Sequence, residues 1–173
     1  PVRGRRGVAL AEPQSGEVCR ATGIDAGLAL VISDEATLVC DLAETGKLLV
    51  HLLASRSQLV SSLRDTVHER GLAGRVVVQP LATDGHLPHP DRFVNLIVAD
   101  FDQLKSHALK RAEVDRVLAV RGATYLRIDN TWQAHSSSPN RHLDNWTHRY
   151  YDASGNCVSH DKLAALPRAV QWQ

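Results

Sequence analysis

The sequence predicts an α/β protein built around a doubly wound, mainly parallel sheet. Several short runs are almost entirely apolar, such as residues 28–32 (LALVI) and 93–99 (FVNLIVA), and such runs are typical of strands buried on both faces. Stretches with apolar residues at helical spacing lie between these runs. The alternation extends from residue 24 to residue 128 and indicates a parallel sheet with helices on both faces.

The elements follow one another in a regular order. The predicted strands cover residues 28–32, 48–53, 75–81, 93–99 and 123–128. The predicted helices cover residues 15–22, 57–70 and 104–118, and a short helix follows the first strand, with Leu38, Val39 and Leu42 on one face. Ser15 and Ser57 are predicted as N-caps, and Gly23, Gly71 and Gly122 as helix stops.

The turn between the first strand and its helix is the stretch most relevant to function. Its sequence is Ser33-Asp34-Glu35-Ala36. A strand, a tight turn and a helix open many nucleotide-binding α/β domains, in which glycines in the turn let the backbone approach the cofactor. This turn contains no glycine, so it departs from the usual pattern of a cofactor-binding turn.

Composition and charge exclude several classes of function. The 173 residues are enough for one full core, and a formal net charge of +1 gives no electrostatic basis for binding nucleic acid. No apolar run approaches the roughly 20 residues that a membrane-spanning helix requires. Cys19, Cys40 and Cys157 have no metal-binding spacing and do not decide between free thiols and a disulfide, although Cys40 is predicted to lie in the core.

The chain is predicted to divide into three parts. These are a loose N-terminal arm (1–14), a domain (15–130), and a linker with an extended tail (131–173). The tail lacks helix or strand periodicity, yet it is too aromatic for ordinary disorder, so we expect it to pack on a protein partner. The aromatic residues expected to make that contact are Trp146, Tyr150, Tyr151 and Trp172. Because the chain begins with Pro1 rather than Met, we also expect it to be processed or part of a longer polypeptide.

Four residues follow predicted strands, at the edge of the sheet where α/β enzymes place catalytic groups. Asp100 and Asp102 follow the fourth strand, where they are either acid–base residues or caps of the next helix. Asp84 and Gly85 occupy the corresponding edge after the third strand. No nucleophile elbow (GxSxG) is present, and no catalytic residue is predicted.

The histidines do not predict a metal site. His86 and His89 lie in the proline-rich loop GHLPHP and are predicted to be exposed to solvent. The tail carries histidines and aspartates whose spacing matches no common zinc pattern, and we interpret them as parts of a hydrogen-bonded loop. These residues are His142, Asp144, His148, Asp152, His160 and Asp161.

Residues 17–128, in this order of elements, resemble the class I S-adenosylmethionine-dependent methyltransferases, which have a Rossmann-like fold. The matching pieces are the first strand, Asp84 with Gly85, DRFVNLIVAD (91–100) and RVLAVRGATYLRI (116–128), which is similar to the RVLKPGG turn before strand five. The tail sequence DNWTHRYYDASGNCVSHD (144–161), followed by PRAVQWQ, resembles a junction in large envelope proteins of planctomycete-type bacteria. In those proteins a methyltransferase-like domain precedes a PQQ-binding-like β-propeller.

The resemblance implies where a cofactor would bind. The family holds S-adenosylmethionine with a glycine-rich turn after strand one and an acidic residue after strand two, whose carboxylate takes the ribose hydroxyls. Here Ser33 and Asp34 stand in that turn, residues 53–56 (LASR) contain no acid, and Asp84 with Gly85 marks the surviving adenine-side position. The two departures cost on the order of 1–3 kcal/mol each, or together roughly a hundredfold or more in affinity.

We therefore expect a degenerate, non-catalytic domain without a cofactor, acting as a scaffold or interaction module attached to a propeller or a larger assembly. The resemblance implies a periplasmic or cell-envelope location. Two alternatives stay open. One is an active S-adenosylmethionine-dependent methyltransferase in the cytoplasm, with Asp84 and Asp100 near its site. The other is a binder of another small ligand at the same sheet edge.

Overall fold

A six-stranded sheet organises residues 13–138, the part of the chain that this computed structural model describes. The strands are β1 (Gly27–Ile32), β2 (Leu48–Ala54), β3 (Val76–Pro80), β4 (Val94–Asp100), β5 (Leu118–Ile128) and β6 (Thr131–Ser136). The helices are α1 (Ser15–Thr22), α2 (Thr37–Glu44), α3 (Val60–Glu69) and α4 (Arg111–Val117). Two 3₁₀ turns, Ser57–Leu59 and Leu104–His107, precede α3 and α4.

The strands lie in the order β3-β2-β1-β4-β5-β6. The first five run parallel, and β6 runs antiparallel to β5. The predicted Rossmann-like, doubly wound and mainly parallel sheet is therefore confirmed. The chain first builds outward from β1 to β3 and then returns to the other side of β1 with β4. Because the connections leave β1 and β4 in opposite directions, the carboxyl ends of these strands border a crevice.

Two apolar layers cover opposite faces of the sheet. On β2, Leu52 packs in the layer formed with α1, α2 and α3, and the next residue, Leu53, packs in the layer formed with α4. Both side chains are at most 1% exposed. A strand that is buried on both faces needs apolar residues at consecutive positions, which is why the central strands are continuous apolar runs in the sequence.

The predicted helix stops are correct at two glycines. Gly23 follows α1 and Gly71 lies just beyond α3, with φ of 72° and 70°, the left-handed conformation that commonly ends helices. The predicted serine N-caps are wrong. Helix α1 begins after Gln14 and α3 after Leu59, and neither N-cap makes a side-chain hydrogen bond. Ser57 instead begins a 3₁₀ turn.

The single helix predicted over residues 104–118 is wrong. The chain forms a 3₁₀ turn, breaks at Ala108 with φ of 53°, and resumes as the short helix α4. Strand β5 then begins directly at Leu118, so Gly122 is not a helix stop but lies inside a strand. A Cβ at Gly122 would lie 2.9 Å from the backbone oxygen of Asn95 on β4, so the close approach of these strands requires glycine there.

The residues after Asn130 form strand β6, although the sequence predicts a linker from residue 131. Asp129 and Asn130 have positive φ of 50° and 62°, which gives the two-residue turn of a tight hairpin. The Asp102 carboxylate accepts hydrogen bonds from their backbone N–H groups, at 3.3 Å from Asp129 and 2.9 Å from Asn130. The linker prediction is thus wrong for Thr131–Ser136. Residues 1–12 and 139–173, with most of the predicted arm and tail, lie outside the described residues.

Candidate functional site

A cleft of about 390 Å³ lies at the carboxyl ends of β1 and β4, where the strand order reverses. Doubly wound sheets bind their ligands at this position. Apolar side chains from β1, α2 and β4 line part of the cleft, and Trp132 of β6 lines its far side. Five ionisable side chains also line it: Asp34, Glu35, Arg56, Asp100 and Arg127.

Asp34, in the turn after β1, is bonded to the residues that follow β2. Its Oδ2 accepts hydrogen bonds from Ser55 Oγ at 2.6 Å and from Arg56 Nε at 2.7 Å, and its Oδ1 accepts one from the Arg56 backbone N–H at 3.1 Å. Burial opposes the charge, but the hydrogen bonds from Ser55 and Arg56 outweigh it and hold the pKa of Asp34 below its ordinary value. The ends of β1 and β2 are therefore joined by one largely buried carboxylate.

The turn itself is built from side-chain hydrogen bonds rather than from glycine. Ser33 Oγ accepts a hydrogen bond from the Glu35 backbone N–H at 2.9 Å, and the Ser33 backbone N–H bonds to Leu53 O at 3.2 Å. Residues 33–36 adopt no positive φ. The backbone conformation of this turn thus needs no glycine, and three of its residues, Ser33, Asp34 and Glu35, line the cleft with their side chains.

His107 makes a second connection to the end of β2. Its Nε2 lies 2.9 Å from the backbone oxygen of Ser55, so that nitrogen donates the hydrogen bond. His107 belongs to the 3₁₀ turn after β4, which lies on the other side of β1 in the sheet. The segment after β2 is consequently bonded to the turns that follow both β1 and β4.

Asp100, Arg127 and Trp132 form a row on the other side of the cleft. Asp100 pairs with Arg127 in the β4–β5 register, and Arg127 pairs with Trp132 in the β5–β6 register. Arg127 Nη1 donates to Asp100 Oδ2 at 2.8 Å, and its Nη2 donates to Asn130 Oδ1 at 2.7 Å. Paired residues on neighbouring strands project from the same face of a sheet, so the three side chains lie side by side.

Neither Asp100 nor Asp102 is the N-cap residue of the next helical element, because the 3₁₀ turn at Leu104–His107 begins after Gln103 and α4 begins after Lys110. Asp100 Oδ1 accepts from the Asp102 backbone N–H at 3.1 Å and thus caps the turn after β4. Asp102 holds the β5–β6 turn. The N-caps of the 3₁₀ turn at Leu104–His107 and of α4 make no side-chain hydrogen bond.

Of the four residues singled out for a cofactor, Ser33 and Asp34 line the cleft, whereas Asp84 and Gly85 are not among its lining residues. Asp84 Oδ1 accepts a hydrogen bond from the His86 backbone N–H at 2.9 Å. Gly85 has a φ of 81°, and a Cβ there would lie 2.6 Å from the backbone oxygen of Ala108. Loop geometry thus accounts for both residues, and a contact between either of them and a cofactor stays a prediction.

His89 is buried, although the sequence predicts an exposed loop histidine. It is 9% exposed, and its Nε2 lies 3.1 Å from Nδ1 of His51 on β2. Burial, together with the charges of His51 and Arg116, lowers the pKa of His89 to about 4. His86 is exposed, as predicted. The loop is held by Arg116, which donates to the backbone oxygens of His89 at 3.0 Å and of Leu87 at 3.2 Å.

Residues 13–138 contain no cluster of three or more His, Cys, Asp or Glu side chains that could hold a metal ion. Within the same range no helix is both long and apolar enough to cross a membrane. Cys40 is fully buried in the core, as predicted, and Cys19 and Cys40 are free thiols. Cys157 and the tail histidines lie outside the described residues.

Comparison with known proteins gives matches of structure only. No family model and no curated protein sequence matches the chain. A putative S-adenosyl-L-methionine-dependent methyltransferase from Methanococcus maripaludis superposes with a TM-score of 0.56 at 19% identity, covering 65% of this chain and 52% of that one. A SAM-dependent methyltransferase from Aquifex aeolicus superposes with a TM-score of 0.53 at 18% identity, covering 65% of this chain and 62% of that one. The [4+2]-cyclase SpnF superposes with a TM-score of 0.56 at 23% identity, covering 65% of this chain and 42% of that one.

These matches show the fold of the S-adenosylmethionine-dependent methyltransferases, as the sequence resemblance predicts. The chain spans about half the length of these structures.

Proposed function

We propose that this is a non-catalytic methyltransferase-fold domain in which the groups at the cofactor position are hydrogen-bonded to one another, and that it acts as a scaffold or interaction module. The observation that carries the proposal is the set of three hydrogen bonds between Asp34 and residues 55–56. In the family that the chain resembles, the turn after β1 is open and the acid lies after β2. Here the acid lies in the turn, and the donors lie after β2.

This reversal affects both parts of the expected cofactor site, the turn after β1 and the ribose-binding position after β2. Ser55 and Arg56 offer donors where the ribose hydroxyls would need a carboxylate, and those donors are already bonded to Asp34. A nucleoside ligand would have to break these bonds and leave a largely buried carboxylate without partners. Each bond lost without replacement costs on the order of 1–3 kcal/mol, so we expect affinity to fall by at least a hundredfold.

The contact between His107 and Ser55 supports the same proposal. It crosses from the turn after β4 to the end of β2, past the end of β1. A ligand lying across the carboxyl ends of β1 and β2 would have to displace this bond as well. We call the bonds of Asp34 to residues 55–56 and of His107 to Ser55 the closure. The closure thus involves the turns on both sides of the point where the strand order reverses.

Calorimetric titration of the folded chain with S-adenosylmethionine and S-adenosylhomocysteine tests the proposal. We expect no binding at millimolar ligand. The double variant Asp34→Gly, Arg56→Asp opens the turn and restores an acid after β2, and we expect it to gain measurable binding of S-adenosylhomocysteine. Glu35→Gly, which changes the same turn without touching Ser55 or Arg56, is the matched control. Micromolar binding by the unmodified chain would favour an active methyltransferase.

The partner and location are part of the same proposal. We place the domain in the cell envelope, beside a PQQ-binding-like β-propeller, with Trp146, Tyr150, Tyr151 and Trp172 contacting the partner; the support is the tail sequence. A photo-crosslinking amino acid at Trp146 or Trp172 should form crosslinks to a propeller segment in envelope fractions. Crosslinks confined to cytoplasmic proteins would contradict this location.

A further inference from the structure

Two buried N–H groups of residues that line the cleft have no hydrogen-bond acceptor within the described part of the chain. Arg127 uses Nη1 and Nη2 to bond Asp100 and Asn130, but nothing within the described chain accepts a hydrogen bond from its Nε. The same is true of Trp132 Nε1. Both residues line the cleft, and they are direct register partners on β5 and β6.

Both donors are buried, which makes the lack of an acceptor unusual. Arg127 is 9% exposed, and both nitrogens are shielded from solvent. Buried polar groups in folded proteins nearly always have a partner, because an N–H without an acceptor loses its bond to water and gains nothing in return. Because both nitrogens are shielded from solvent, a ligand that supplies their acceptor has to move the neighbouring side chains apart as it enters the cleft.

The charges around the cleft indicate what kind of acceptor this is. Among the side chains that the structure describes, three carboxylates (Asp34, Glu35 and Asp100) and two guanidinium groups (Arg56 and Arg127) line it, which leaves an excess of one negative charge. Asp34 is paired with Arg56 at 2.7 Å and Asp100 with Arg127 at 2.8 Å. An anionic ligand would meet this excess charge, whereas a neutral carbonyl oxygen satisfies the donors without repulsion.

The rest of the wall is suited to an apolar, planar body. The Trp132 ring stacks on Tyr125 with the ring centroids 5.2 Å apart and the planes 7° apart, so the indole is held rigidly. Val31, Leu38 and Val98 supply aliphatic surface in the same cleft. A flat carbon skeleton can lie against these groups while its polar end faces Arg127 and Asp100.

We propose that the cleft binds a small, uncharged carboxamide with an apolar body, whose oxygen accepts from Arg127 Nε and Trp132 Nε1. The amide N–H₂ of such a ligand can donate to the Asp100 carboxylate, which a carboxylate ligand cannot do. The two donors lie on β5 and β6, whereas the bonds of Asp34 join the ends of β1 and β2. The site therefore goes beyond the proposed scaffold function and does not depend on it.

Three probes of nearly identical shape test this site: benzamide, benzoate and benzamidinium. Benzamide carries the acceptor without charge, benzoate adds a negative charge, and benzamidinium has no acceptor. In ¹H–¹⁵N spectra of the labelled full chain, benzamide should shift the Trp132 indole N–H and the Arg127 Nε–H resonances. We expect its dissociation constant to be at least roughly threefold lower than those of the other two probes.

Two conservative variants separate a binding site from a merely structural pair. Trp132→Phe keeps the ring and removes its N–H, and it also assigns the indole resonance. Arg127→Lys keeps the charge beside Asp100 and removes the Nε donor. We expect each to weaken benzamide binding by roughly three- to tenfold with the fold intact, whereas Gln133→Ala, on the exposed side of β6, leaves it unchanged. The Trp132→Phe result stands even where Arg127→Lys fails to fold.

The proposal is overturned by any of three results. The first is no shift of either resonance at about 10 mM benzamide, a concentration at which a fragment of this size in a fitting site is detectable. The second is tighter binding of benzoate or benzamidinium than of benzamide. The third is benzamide binding that neither variant changes. None of these results depends on whether the chain binds S-adenosylmethionine, so the two proposals fail separately.

Discussion

The Asp34 carboxylate and the Arg56 guanidinium lie 2.7 Å apart and join the turn after β1 to the segment after β2. The Asp34 side chain is 16% exposed, whereas that of Arg56 is 61% exposed. An exposed ion pair contributes little to stability, so the larger contributions come from the Ser55 hydroxyl and the Arg56 backbone N–H. The closure is thus anchored mainly by neutral donors to one carboxylate.

Replacing Asp34 should therefore cost more than replacing its charged partner. We expect Asp34→Ala to lower the free energy of unfolding by about 1–3 kcal/mol at pH 7, and Arg56→Ala by less than about 1 kcal/mol. Urea denaturation measures both values, with Glu35→Ala as the control from the same turn. Equal losses for Asp34→Ala and Arg56→Ala would show that the ion pair, not the neutral donors, anchors the closure.

The same bonds set a pH dependence. The folded-state pKa of Asp34 lies below its ordinary value, so its stabilisation is present above the unfolded pKa of about 4 and is lost as the pH falls through the folded value. Unfolding curves below pH 4 should therefore show a smaller loss of stability in Asp34→Asn than in the unmodified chain. Parallel curves would assign the acid sensitivity to other groups.

Buried His89, paired with half-buried His51, predicts a second dependence of stability on pH, at a less acidic pH. Burial and the neighbouring His51 and Arg116 lower the pKa of His89 from 6.5 to about 4. Between these values the unfolded chain binds a proton that the folded chain does not, so stability falls as the pH drops below 6.5 and levels off near 4. The limiting loss is about 3 kcal/mol, and His89→Leu should remove it. An equally steep decline in His89→Leu would place the effect elsewhere.

The loop that carries His89 depends on Glu113 of α4. Glu113 Oε1 accepts from the Leu87 backbone N–H at 2.8 Å and from Arg116 Nη2 at 2.7 Å, and Arg116 lowers the pKa of Glu113 to about 2. We expect Glu113→Gln to cost about 1–3 kcal/mol and to speed hydrogen exchange at the Leu87 amide. Asp115→Asn, in an exposed pair on the same helix, should cost less than about 0.5 kcal/mol. Slow exchange at Leu87 in Glu113→Gln would show that the loop is held without this carboxylate.

The sequence predicts the five parallel strands of the sheet and misses the antiparallel edge strand β6. Strands β1 and β4 are buried on both faces, so consecutive apolar residues identify them without knowledge of the rest of the chain. Strand β6 is an edge strand with mostly exposed residues, and the hairpin before it is bonded by Asp102, which precedes Asp129 by 27 residues. A local signal is nevertheless present, because residues 131–135 (TWQAH) alternate between polar and apolar residues.

The candidate site, like the sheet, could be predicted from the sequence only in part. The missing glycine and the missing acid are visible in the sequence, because each is a departure at one position. That Asp34 bonds Arg56, 22 residues away, depends on the pairing of β1 with β2. The orphan donors of Arg127 and Trp132 could not be predicted, because their alignment depends on the register between β5 and β6, and the sequence predicts a linker in place of β6.

Gly85 offers the sharpest test of whether the loop after β3 is held by packing. Its φ of 81° disfavours any side chain, and a Cβ would lie 2.6 Å from the rigid backbone oxygen of Ala108. Left-handed strain and this clash together should make Gly85→Ala cost about 2–4 kcal/mol. Gly74→Ala, where a Cβ meets nothing within 4 Å, is the matched control and should be close to neutral. If Gly85→Ala is also neutral in thermal unfolding, the loop shifts freely from Ala108, and Gly85 is then free to contact a ligand.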